Sequence, residues 1–138
     1  MSLVSGGVSS RTLREAIRSM RKPALGFVNN YQILKIDMNS PPGTTNRAEI
    51  TSSLGNIQPK ILTVTLDDEL HAEIHVIAGG QEVALTPELR PPATIIDVEG
   101  VYGVVETPKL IFIIKAPYGT TKPNWGVLLY FGRVVPPG

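Results

Sequence analysis

Past Pro59 the hydrophobic and polar positions of this chain alternate with a period of two. Leu62, Val64 and Leu66 are separated by Thr63 and Thr65, and Leu70, Ala72, Ile74 and Val76 by His71, Glu73 and His75. Such alternation predicts a half-buried antiparallel pair with one wet face. Asp67-Asp68-Glu69 reads as the polar turn between the two strands. Gly79-Gly80 predicts a two-residue hairpin, because paired glycines accept the positive φ of primed turns. Gln81 to Leu85 is then the returning strand. Thr86 to Pro92, with three prolines, reads as a loop, and Ala93 to Glu99 as a strand, with bends or a bulge at Gly100 and Gly103. Upstream the signal is weaker. Tyr31 to Met38 reads as a strand, Asn39 to Asn46 as a loop, and Glu49 to Gln58 is ambiguous around the turn signal Gly55-Asn56.

Two later segments are apolar on both faces and not on one. Leu110-Ile111-Phe112-Ile113-Ile114 belongs at the centre of a sandwich or in a subunit contact, and its flanking Lys109 and Lys115 guard against edge aggregation. Pro117 to Asn124 is a polar loop in which Tyr118 is the candidate surface contact. Trp125 to Val135 is the final strand; Trp125, Tyr130 and Phe131 are aromatic anchors of the kind enriched in interfaces, with the core the expected place for Trp125 and Phe131. Strands recur about every ten residues, which predicts an all-β antiparallel β-sandwich or barrel, with a jelly roll or a related Greek key as first choice.

Ahead of this β-rich text, Ser9 or Ser10 can cap a helix that runs to Lys22 and stops at Pro23. Leu13, Ile17 and Met20 fall on one side of it, as an apolar docking stripe. Arg14, Arg18, Arg21 and Lys22 fall on the other side, and Arg11 stands one turn from Glu15. The chain therefore divides into an N-terminal arm with a short amphipathic basic helix (1–24) and a β-sandwich domain (25–138). About four turns is marginal for a lone helix in water, so the stripe needs something to dock on.

Charge follows the same division. Five basic residues crowd the arm against one acid, whereas the remainder carries 8 basic and 11 acidic residues. Charged residues make up 18% of the chain, below the roughly 25% usual for globular domains. Much of the surface is then uncharged, which is most simply explained if partners cover part of it. At 138 residues the chain can bury a core without staples, and the absence of cysteine excludes disulfides, thiolate metal sites and cysteine nucleophiles. The first residues lack the pattern of a secretory signal, and no apolar run approaches the roughly 20 residues of a membrane span. The expectation is a soluble protein made in the cytoplasm.

Candidate chemistry is thin. His71, Glu73 and His75 share one strand face, but a rise of about 3.3 Å per residue puts the two histidines roughly 13 Å apart, too far for one zinc ion. A solvated or interfacial strand face is the simpler reading, with a contact sensitive to pH between 5 and 7 as its functional variant. Asp67, Asp68 and Glu69 lack the frame of a calcium loop. The chain has no Gly-x-Ser-x-Gly elbow, phosphate-binding loop or dinucleotide fingerprint. No enzyme, cofactor, metal or small-molecule substrate is expected. The basic helix carries the most functional content. Arg11, Arg14, Arg18, Arg21 and Lys22 suit nucleic-acid phosphates, an anionic membrane or a neighbouring subunit, against the plain alternative of a wet face on a packed helix.

A basic arm, a β-sandwich with proline-rich connections, low charge and no cysteine together resemble the layout of small virion proteins. The resemblance lies in organisation and in no single motif. It implies a self-assembling structural protein, located in the virion, acting as a capsid, decoration or vertex subunit. Its partners would be copies of itself and other structural subunits. The alternative reading is a small-ligand or carbohydrate-binding β-module, which needs a concave apolar pocket with convergent polar groups.

Overall fold

The alternating positions fold into two four-stranded antiparallel sheets. The computed structural model describes residues 30–117 and 124–136. In chain order the elements are β1 (Tyr31–Ser40), β2 (Thr45–Thr51), β3 (Asn56–Leu66), β4 (His71–Ala78), β5 (Gln81–Ala84), β6 (Ala93–Asp97), a short helix α1 (Val98–Tyr102), β7 (Lys109–Lys115) and β8 (Asn124–Val135). The first sheet has the order β1-β8-β3-β6 and the second β2-β7-β4-β5. The last two strands thus insert between earlier ones, one in each sheet.

The core lies between the sheets. From the first come Leu34, Leu62, Val64, Leu128 and Tyr130, and from the second Ile74, Leu110, Phe112 and Ile114, all buried. Tyr130 stands in register with Leu34 on one side and Leu62 on the other, and Phe112 with Ala48 and Ile74. Burying the Tyr130 ring pushes its phenol pKa upward. Gly132 makes room for that ring: a Cβ there would collide with the Tyr130 hydroxyl. At the β4–β5 hairpin Gly79 and Gly80 take φ of 61° and 79°, the positive values that the paired glycines predict.

Thr107 ties the two sheets together at one end. Its backbone exchanges hydrogen bonds with Ile57 of β3, at 2.8 and 3.0 Å. Its buried hydroxyl accepts from the Ile77 amide of β4 at 2.9 Å. At the other end the Trp125 amide donates to the Asp67 carboxylate at 2.7 Å, and the Asp67 amide donates to the Trp125 carbonyl at 3.0 Å. The acid read as part of a polar turn therefore also anchors the start of β8.

Several expectations need correction. The first loop is shorter than expected, because β1 continues to Ser40 and β2 begins at Thr45. Strand β3 starts before Pro59 and not after it; the register shifts between Pro59 and Ile61, so the proline sits at a bulge where its missing donor is tolerated. The strand expected over Ala93 to Glu99 ends at Asp97, whose carboxylate caps α1 by accepting from the Gly100 amide at 3.1 Å, while Val98 is buried. Trp125 and Phe131 do not fill the core. Gly126, Leu128, Tyr130, Gly132 and Val134 take the inward positions of β8, so Trp125 and Phe131 face outward and Tyr130 is the core aromatic. The arm helix lies outside the described residues.

Candidate functional site

The two outer sheet faces differ in chemistry. On the second sheet the outward positions carry a lattice of ion pairs. Arg47 of edge strand β2 reaches across β7 and β4 to Glu82 of edge strand β5, donating at 2.8 Å. His75 lies between two carboxylates, with Nδ1 2.7 Å from Glu82 and Nε2 2.9 Å from Glu73. Lys115 donates to the other Glu73 oxygen at 2.6 Å, Lys109 to Glu49 at 3.2 Å, and His71 stands 3.2 Å from Glu88. The lysine ammonium of Lys115, and then His75, hold the Glu73 pKa below the ordinary glutamate range; Arg47, and then His75, do the same for Glu82. In return Glu73 raises the Lys115 pKa and Glu82 that of Arg47.

This lattice explains the first doubly apolar segment. Leu110, Phe112 and Ile114 point into the core, while Ile111 and Ile113 point outward beside His75 and Glu73 yet are buried. The long charged side chains lie over them with their heads in water. Of the two readings offered by the sequence, the run thus occupies the sheet centre, and its cover comes from the chain itself.

The first sheet has no such cover among the described residues. Along β8 its outward positions are Trp125, Val127, Leu129, Phe131 and Arg133, with Trp125 48% and Leu129 45% exposed. Ile33 of β1 and Ile61 of β3 flank Phe131 in register, and both are exposed. Tyr31 stacks flat on Phe131, with ring centroids 5.2 Å apart. Polar groups share this face: Lys35, paired with Asp37, and Thr63 flank Leu129 in register, Asp37 and Thr65 flank Val127, Arg133 follows on β8, and Lys60 pairs with Glu99 of α1.

Apolar exposure continues past edge strand β6. Ile95 is 74% exposed, Val101 64%, and Val104 and Tyr102 are exposed beside them on α1 and the segment that follows. Leu54, in the turn before β3, is exposed near the same end, where Asn56 donates to Glu106 at 3.1 Å. Among the described residues the outer face of the second sheet is thus ionic, while the first sheet exposes an apolar strip along β8 and apolar side chains at its β6 edge.

The arm residues Arg11, Leu13, Arg14, Ile17, Arg18, Met20, Arg21 and Lys22 lie outside the described residues, as does Tyr118. His71 and His75 are kept apart, each bound to carboxylates from another part of the second sheet's surroundings. Among the described residues no group of three or more histidine and acidic side chains is arranged to hold a metal ion, and no helix is long and apolar enough to cross a membrane. Sequence reasoning missed Arg47 and Glu82 as partners of the histidine strand, because the two are joined only by the strand order. The outward aromatics of β8 had one legible signal: Gly126 and Gly132 share the parity of Tyr130, and small residues mark the tightly packed side. No protein-family model and no curated protein matches this chain.

Proposed function

We propose that this chain is a jelly-roll subunit of a self-assembling particle: a capsid, decoration or vertex component of a virus or phage. The strand order β1-β8-β3-β6 over β2-β7-β4-β5 supports the jelly-roll reading, since eight strands in two sheets with late strands inserted between early ones are the mark of that fold. Viral capsid domains share the fold with sugar-binding ones, so the fold alone does not choose the function. One observation carries the choice of an assembling subunit. Among the described residues one broad face is covered by its own ion pairs, whereas the other exposes an apolar strip along β8 and the edge exposes Ile95, Val101 and Val104. A subunit in a shell has two unlike broad faces and apolar edges that meet its neighbours. Exposed contiguous apolar surface of this kind marks association sites.

The edge is the subunit contact in this reading. Val101→Asp with Val104→Asp, in the full chain, places charge on two exposed positions that contribute nothing to the core. The expected result is loss of multimers in negative-stain images, with the far-ultraviolet strand signal retained. Multimers unchanged by both substitutions would remove the edge from the account.

A further inference from the structure

Strand β1 ends its sheet. Strand β8 pairs with one side of it, and among the described residues no strand pairs with the other. Two hydrogen bonds fix which backbone groups face that open side. The residue 30 carbonyl accepts from the Val134 amide of β8 at 2.7 Å, so by the alternation of an antiparallel ladder the even-numbered residues of β1 face β8. The carbonyl of odd-numbered Asn39 accepts instead from the Asn46 side chain of β2, at 3.0 Å. Ile33, Lys35 and Asp37 therefore aim their N–H and C=O groups at the open edge. At 10 residues this edge is long, and a row of unpaired backbone groups is a template for another strand.

The side chains along this edge are complementary to themselves. When two copies pair antiparallel about a two-fold axis at Ile36, Lys35 stands opposite Asp37 of the second copy, and Asp37 opposite Lys35. On the core side Ile36 meets Ile36, Leu34 meets Met38, and Gln32 meets Ser40, so apolar faces apolar and polar faces polar. Moving the axis to Lys35 or to Asp37 sets like charges directly opposite each other, which is destabilising. Placing it between two residues sets core-side positions against outward ones. Charges on an edge strand commonly discourage pairing, but here they leave one register open. Its axis lies at the middle of the strand, where the overlap of two copies is longest. Ile36 is also the one core-side residue of β1 that is only half-buried, and the pairing covers it.

We infer that β1 pairs with β1 of a second copy in this register, so that one sheet continues from β6 of one copy to β6 of the other. Lys35 already lies 3.7 Å from Asp37 of its own strand. In the pair each of these charges stands between two of opposite sign, at a seam between the apolar β8 strips of the two copies. The inference rests on the assembly reading above and adds a second contact to it, on the sheet edge opposite Ile95.

The test uses the full chain carrying Val101→Asp and Val104→Asp, which disable the β6 edge. Sedimentation equilibrium at low ionic strength, where exposed charges are least screened, is expected to show a dimer of this parent. Adding Lys35→Glu sets acid opposite acid on both sides of the axis, and adding Asp37→Lys sets base opposite base. Both side chains are exposed, so neither exchange touches the core. Each is expected to raise the dimer dissociation constant at least about tenfold. Mixing the two variants restores opposite charges at both positions, and the mixed dimer is expected to recover the parent's affinity. A parent that is monomeric, or a mixture as weak as its components, overturns the inference. The wild-type chain separates the two proposals. Larger multimers that ignore both charge variants defeat the β1 pairing and leave the assembly reading in place. Dimers that respond to them, with nothing larger formed, defeat the assembly reading alone.

Discussion

Thr107 shows how much one side chain does where two sheets meet. Its hydroxyl is the acceptor for the buried-side Ile77 amide, while its backbone closes a bridge to Ile57 on the opposite sheet. Thr107→Val keeps the shape and leaves that amide without its partner. The expected loss is about 1–3 kcal/mol, read from urea unfolding. Phe112→Ala, at the centre of the core, is expected to cost about 3–5 kcal/mol in the same measurement, through lost burial and the cavity left behind. A loss near zero would place that ring outside the core. These two residues also differ in legibility. Phe112 stands out in an apolar run. Thr107 sits in a Glu-Thr-Pro-Lys stretch whose composition reads as loop, and nothing local announces that Ile57 and Ile77 will meet it. Tyr130 was hidden differently. In a strand apolar on both faces the period of two has little contrast, so it does not say which set faces inward.

Among the elements, β7 and β2 mark where pattern reading works and where it stops. The continuous apolar run of β7 does lie at the centre of its sheet, but its outer half is buried only because Arg47, Glu82, His75, Glu73 and Lys115 converge over it. Strand β2 contributes Arg47 and buries only Ile50 fully, so it presents almost no apolar period, and its sequence reads as loop at its start and ambiguous from Glu49 onward. Helix α1 depends on a cap and one buried valine and not on any helical period. The lattice makes its own prediction. Glu73 and Glu82 ionise more readily in the folded chain than in the unfolded one, so their stabilisation is complete above the ordinary glutamate value of about 4.3 and disappears as pH falls through their depressed values. Thermal midpoints measured from pH 7 downward are expected to fall in that acid range. Glu73→Gln with Glu82→Gln should flatten the fall, and an unchanged slope would mean that other carboxylates carry the acid sensitivity.

For the whole molecule, strand order was the feature least accessible from sequence. Hairpin signals fix neighbours such as β4 and β5, whereas the placement of β8 between β1 and β3, and of β7 between β2 and β4, depends on partners far apart in the chain. That order decides which strands share a face, and hence that one broad face is ionic and the other exposes an apolar strip along β8. Among the described residues nothing covers the edge at Ile95, Val101 and Val104, which the proposed assembly would bury. Sedimentation velocity of the full chain across a wide concentration range tests this most directly. The account predicts discrete multimers that persist on dilution in proportion to their affinity, and a single monomeric species at every concentration would contradict it.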